Sequence, residues 1–347
     1  MILSKPKEII LITFLSFFIG LAFTFPIFHE PQNWGIQDWD QHLFYHEVPR
    51  LTVIEYGQIP LWNPYYCGGT VMLANPQSRL LSPFFILTLI FGTVVGLKIE
   101  IFLHIVLGLV GMYLLARYYS LDPLIAWLPP LLFMLSTMFT LNLTVGMTWF
   151  LSVAYLPWIF LFYQNSFDHP LYIWATAGFL ALMFFEGGAY PLPITFLFLF
   201  LYTLGSLSRR RSGGSPLILF GLSLFITFCL GAIKIFPSFI FLWDHPRHIS
   251  DYSGYSITSL IYSLFNRDQG LEAVDKFSNE RGFWNGITYG MDENGVYIGL
   301  AAGLLFIFGI FLNWKKYWTL ILCLFFFLWL GFGDKAFISL WELGISP

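Results

Sequence analysis

Charge is scarce in this 347-residue sequence: only 11% of its side chains are Asp, Glu, Lys or Arg, against about 25% in a soluble domain. Cysteine is scarce too, with Cys67, Cys229 and Cys323 the only copies. Cys229 and Cys323 fall in apolar runs and Cys67 stands alone in a polar stretch, so neither a disulfide framework nor a zinc spacing can be built. A basic excess is missing as well: 17 Lys+Arg face 20 Asp+Glu, a net charge of −3, and nucleic acid is not an expected partner. What fills the chain is apolar, 57% hydrophobic and 20% aromatic, with mean hydropathy +0.70. One water-soluble core could not hide that much apolar surface, and the aromatic excess suits the belts at a membrane–water boundary. The fold class expected is an all-α integral membrane protein.

A membrane-crossing helix needs about 20 mostly apolar residues. Such runs fall at about 9–28, 95–117, 123–140, 150–164, 171–186, 190–206, 217–238, 295–312 and 317–332. That gives about nine spans in a single transmembrane domain, 1–347. The first lacks a small-x-small cleavage site and is read as an uncleaved helix. The 82–93 stretch is too short to cross and is predicted to be interfacial or re-entrant. Two connections are long, 29–82 and 239–294, and the others are tight. Lys5, Lys7, Arg117, Arg209, Arg210, Arg211, Lys315 and Lys316 collect in the N-terminus and the short connections. The positive-inside rule therefore places the N-terminus in the cytoplasm and both long loops outside.

The first long loop carries the densest polar pattern, NWGIQDWDQHLFYHEVPR. Asp38, His42 and His46 are spaced i, i+4, i+8 and share one face of a predicted helix, with Pro49 bending or ending it near Val48. Trp39, Leu43 and Phe44 would lie along the interface. Asp38 and Asp40 form a D-x-D pair that could bind a divalent cation or supply a general base; a solvated surface helix is the plain alternative. Next comes EYGQIPLWNPYYCGGTVMLANPQSRLLSPFF, rich in Pro, Gly and Asn-Pro turns and so read as an ordered loop. Trp62, Tyr65 and Tyr66 could stack on a sugar or rest at lipid headgroups. Asn63, Asn75, Gln77 and Ser78 offer hydrogen bonds to hydroxyls, and Arg79 offers a fork for phosphate.

Charges inside spans are expensive and default to functional residues. Lys98, Glu100, His104, Glu186 and Lys234 all fall at the outer level of their spans, with Glu100 and His104 spaced to pair and snorkelling as the alternative. In the second long loop Arg247, His248 and Arg281 could bind phosphate, and Asp244, Asp251 and Trp284 could contact sugar; ordinary solvated loop residues are the alternative.

The run PLWNPYYCGGTVMLANPQSRLLSPFF resembles the signature of bacterial YfhO-like multi-pass membrane proteins. HIVLGLVGMYLLARYYSL, AYLPWIFLFY, GAIKIFPSFIFL and VYIGLAAGLLFIFGI follow in the family's order. That family is similar to the GT-C membrane glycosyltransferases, which carry acidic residues in the first outer loop and use polyprenyl-phosphate-linked sugars. The resemblance implies a bacterial inner-membrane enzyme moving a sugar from such a lipid to an envelope glycan or lipid acceptor. Asp38 or Asp40 would be the base. Substrate would be met by His42, Trp62, Asn63, Tyr65, Asn75, Gln77, Arg79, Glu186, Lys234, Arg247 and His248. No cofactor is required on this reading, although Asp38 and Asp40 could hold a divalent cation. Relatives continue with further spans, so the chain is expected to be a fragment, with a C-terminal segment or subunit as partner. The competing expectations are a non-catalytic polyprenyl-lipid flippase or assembly partner in envelope polysaccharide synthesis, and an acyltransferase using Asp38 with His42.

Overall fold

The computed structural model describes residues 6–35, 38–66, 68–207, 214–246, 254–269 and 294–333. These are helical almost throughout, and the sole sheet among them is a two-stranded hairpin. Five stretches are long and apolar enough to cross a membrane: Pro6–His29, Thr93–Tyr118, Ile125–Thr144, Pro216–Asp244 and Leu300–Leu330. Two shorter apolar helices, Tyr172–Phe185 and Pro191–Ser206, accompany them. Large apolar side chains such as Phe25, Phe225, Phe239 and Phe311 are exposed, as a chain bathed in lipid requires.

The chain divides into two compact units. In the first, the central helix α4 (Thr93–Tyr118) follows α1 (Pro6–His29), α2 (Trp39–Tyr56), the strands β1 (Trp62–Asn63) and β2 (Thr70–Val71), and α3 (Phe85–Phe91). Helix α1 buries Ile12, Ser16, Gly20 and Thr24, one residue per turn; small side chains at that spacing let helices approach closely in lipid. It runs antiparallel to α4, because Glu8 near its start accepts a 2.9 Å bond from Arg117 Nε while Lys98 Nζ donates to Glu30 O just past its end at 2.6 Å. Further along lie α5 (Leu128–Met134), a 3-10 stretch Thr148–Tyr155, α7 (Leu156–Ser166), α8 (Tyr172–Phe185), α9 (Pro191–Ser206) and α10 (Pro216–Asp244). Trp158 of α7 stacks on Phe179 of α8 with ring centroids 5.6 Å apart and donates to Leu107 O of α4 at 2.9 Å, which locks α4, α7 and α8 together. The second unit holds residues 136–142, within α6 (Thr137–Thr144), and the chain from 247 onward, including α11 (Ile257–Phe265) and α12 (Leu300–Leu330). There Thr137 Oγ1 donates to Gln269 Oε1 at 2.7 Å and accepts from Tyr297 N at 2.8 Å.

Several expectations are corrected. The 123–140 run is not one smooth helix but a 3-10 turn followed by α5 and α6, since Pro129 and Pro130 can be housed only in a first helical turn. The 150–164 run is likewise 3-10 until Pro157 opens α7. Helix α12 is broken by a kink with non-helical backbone at Asn313 and Tyr317, where two helices meet at the boundary expected between 295–312 and 317–332. Pro49 does not end α2, which continues to Tyr56. Gly57 in the left-handed conformation ends it instead, its N–H donating to Val53 O at 3.2 Å and that of Gln58 to Thr52 O at 3.1 Å.

Candidate functional site

The site begins with the turns that follow α2. Asn63 Oδ1 accepts from Tyr65 N at 2.9 Å, and Asn75 Oδ1 from Gln77 N at 2.9 Å. Each is an Asx turn, in which a side chain replaces a backbone partner. Between them β1 and β2 pair antiparallel, Trp62 opposite Val71 and Asn63 opposite Thr70, and Met72 is sealed beneath. The turn-rich motif is thus a folded staple whose far end, Ser78 to Ser82, dives into the protein.

There Arg79 is 1% exposed. Its Nε donates to Glu186 Oε1 at 2.8 Å, and its Nη2 reaches both that oxygen and Glu100 Oε1. Burial works against the guanidinium's charge, but Glu100 and Glu186 outweigh it and hold Arg79 above its ordinary pKa. Ser82 Oγ donates to the other Glu186 oxygen, Oε2. His104, one turn along α4 from Glu100, lies with Nε2 3.7 Å from Glu186 Oε2. Its ring is held between Phe84, 4.5 Å away, and Tyr155, 5.5 Å away. His104 Nδ1 contacts Glu100 O at 2.9 Å; a carbonyl only accepts, so Nδ1 carries the hydrogen there.

Two devices bring Glu186 against the loop. One is the turn after α8: Gly187 has φ +76°, and a Cβ there would stand 2.8 Å from Gln77 O and 3.1 Å from Arg79 Cγ. Only glycine allows that approach in that conformation. The other is Lys234 of α10, 1% exposed, whose Nζ donates to Ser78 O at 2.5 Å, Phe184 O at 2.9 Å and Pro76 O at 3.1 Å. One ammonium therefore ties the loop and the C-terminal end of α8 to α10, and its charge suits the negative end of that helix.

Helix α2 closes another side. His42 and His46 are 3% and 2% exposed. His42 Nδ1 and Thr148 Oγ1 lie 3.0 Å apart, while neither ring nitrogen of His46 has a hydrogen-bond partner. Burial, then the charge of Arg79, pulls the His42 pKa down to about 4, and the same two influences, with His42 itself, depress His46. A folded pKa below the unfolded value means that His42's contribution is complete above the ordinary value of 6.5 and is lost as pH falls toward about 4. Thermal stability in detergent is expected to drop by about 2 kcal/mol between neutral pH and about pH 5 from this group. His42→Gln should flatten that slope; an unchanged slope would show that His42 does not titrate differently on unfolding.

The sequence-derived residues separate into two places. Arg79, Glu186, Lys234 and His42 come together in the interior, joined by Glu100 and His104. The snorkelling alternative does not hold for Glu100, Glu186 or Lys234, each 1% exposed or less, and the Glu100 carboxylate pairs with Arg79 rather than His104. The donors of Lys234, and those of Arg79 at Nε and Nη2, are taken up within the protein, while Arg79 Nη1 is buried without a hydrogen-bond partner among the described residues. Trp62 and Tyr65 are exposed, Asn63 is buried, and Asn75 and Gln77 are intermediate and shape the turn. Arg247, His248, Arg281, Asp251, Trp284 and Cys67 lie outside the described residues, and Asp244 is exposed at the end of α10. Ser82, Thr148 and Tyr155 were not singled out from the sequence; a hydroxyl amid apolar residues carries no pattern.

Asp38 and Asp40 are both exposed at the start of α2. Asp38 is the N-cap of α2 and Asp40 lies in its first turn. Trp39 between them turns inward and donates to Leu143 O at 2.9 Å, so it does not lie along an interface. Asp40 shares its face with Phe44, whose ring centroid lies 6.2 Å from that of Tyr66 in the hairpin loop. Asp38 is on the His42 face instead. As for a metal elsewhere, Glu100, His104 and Glu186 each place one ligand-type atom within 4.8 Å of the others. A dication there would enter beside Arg79, already bonded to both carboxylates, and the donor set fits it poorly. No protein-family model, no curated protein and no solved structure matches the chain.

Proposed function

We propose that this chain is a GT-C-like membrane glycosyltransferase of the YfhO-like kind, taking a polyprenyl-phosphate-linked sugar at the outer face of a bacterial inner membrane, with Asp40 as general base. The observation that carries the reading is the exposed carboxylate of Asp40 on the α2 face that packs, through Phe44, against the aromatic hairpin of Trp62, Tyr65 and Tyr66. Flat aromatic faces beside an acid suit a sugar and its acceptor hydroxyl. Asp40 takes the hydroxyl proton as that oxygen's lone pair bonds to the anomeric carbon. The anomeric carbon–oxygen bond breaks, and the lipid phosphate leaves with the electron pair. The transition state is oxocarbenium-like, so the same carboxylate stabilises developing positive charge. Asp40 Oδ1 accepts from Gln41 N at 2.7 Å, which fixes the carboxylate's orientation.

The test is transfer from a radiolabelled polyprenyl-phosphate sugar by the purified full chain in lipid vesicles. Asp40→Asn should lower the rate about a hundredfold, the range for a lost general base, while Asp38→Asn stays within a few-fold of wild type. Normal transfer by Asp40→Asn would overturn the assignment. Movement of the lipid between leaflets with no sugar transfer would favour a flippase.

A further inference from the structure

In direct contact, the buried cluster sets two carboxylates, Glu100 and Glu186, against one guanidinium, Arg79. Lys234 donates to three backbone carbonyls, and among the described residues no ion pair joins it to either carboxylate. Hydrogen bonds account for Glu186 completely, through Arg79 and Ser82. Among the described residues Glu100 Oε2 and His104 Nε2, on side chains 1% and 0% exposed, have no hydrogen-bond partner, and neither do Arg79 Nη1 and Tyr155 Oη. Uncompensated charge in such a place is costly enough that the group is neutralised instead. A divalent ion would add a second positive unit beside Arg79, and a sodium ion would need several more oxygen ligands than this cluster offers. A single proton needs neither.

We infer that Glu100 is a buried proton-binding site, holding one proton on its carboxyl group, with His104 one turn along α4. The groups that face it are Arg79 and Ser82 from the loop, Glu186 from the end of α8, Tyr155 from the 3-10 stretch, His46 from α2 and Lys234 from α10. The proton leaves the Glu100–Arg79 contact a hydrogen bond rather than a second ion pair, and the charges of Arg79 and Glu186 then cancel. It also gives the cluster a movable positive unit, which a purely structural ion pair lacks. This inference stands apart from the transferase reading and survives its failure.

Infrared spectroscopy of the purified chain in lipid tests it. At neutral pH the wild type should show a protonated-carboxyl C=O stretch that shifts down in heavy water. Glu100→Gln, which keeps the shape and supplies a donor where the proton sat, should abolish that band and titrate one proton fewer per chain. His104→Gln should shift the band's frequency without removing it, which keeps the test decisive if Glu100→Gln folds poorly. Absence of the band in the wild type, a band untouched by both substitutions, or one metal ion per chain by elemental analysis would each overturn the inference.

Discussion

Replacing Arg79 with Met is expected to destabilise the folded chain by about 3–5 kcal/mol, the usual cost of removing one partner from a buried ion pair. The side chain is nearly isosteric along its stem, so the loss is electrostatic rather than a cavity. Glu186 would remain 0% exposed with Ser82 as its remaining hydrogen-bond donor, and Glu100 would lose its guanidinium. The effect should appear as a fall of roughly 10 °C or more in the unfolding temperature in detergent. Arg79→Met combined with Glu186→Gln removes both charges and should recover most of that loss, because neutral pairs of matching shape are far cheaper to bury than an orphaned charge. An Arg79→Met chain as stable as wild type would mean that the guanidinium is worth no more than a surface pair.

Gly187→Val should be nearly as damaging, for steric reasons. The left-handed conformation costs an L-residue about 1–2 kcal/mol, and crowding of a packed interior adds about 1–3 kcal/mol. Here the added carbon meets Gln77 O at 2.8 Å, a backbone atom that cannot swing away. The expected sum is about 2–5 kcal/mol, with Gly187→Ala less severe, both read as unfolding temperature and yield of monodisperse protein. Because the clash pushes on the Gln77–Arg79 segment, the Val variant should also weaken the Arg79–Glu186 contact. Combining it with Arg79→Met should therefore cost less than the two separate losses added. Full additivity would show that the turn and the ion pair act independently.

Much of this was legible in the sequence, for physical reasons that also mark the limit. Charges at Glu100, His104, Glu186 and Lys234 stand out because so few occur in apolar runs, and a charge in such a run needs a partner. Arg79 stood out only as a fork for phosphate; that its fork closes on Glu100 and Glu186 depends on a fold joining distant segments. The Asn-Pro and Gly-Gly punctuation correctly indicated an ordered loop, since those residues restrict the backbone locally. Its cargo, by contrast, is set by long-range packing. Breaks in the apolar runs were harder to read: Pro129, Pro130 and Pro157 each sit where a helix can begin, so hydropathy continues while the helix does not. The D-x-D pair could be located but not assigned, because spacing in sequence says nothing of direction until the helix is known; Asp38 turns out to be the N-cap of α2 and Asp40 a residue of its first turn.

The closure of Arg79 on Glu186 spans 107 residues and the grip of Lys234 on Ser78 spans 156. During synthesis, therefore, the N-terminal segment emerges long before the groups that will hold it. Neither the α8 turn nor α10 exists when the loop leaves the ribosome. The loop must wait, with its guanidinium hydrated, until both later helices have been made. Its docking is then a late event of biogenesis, and a chain halted before α10 would hold every element of the staple without the ammonium that fastens it.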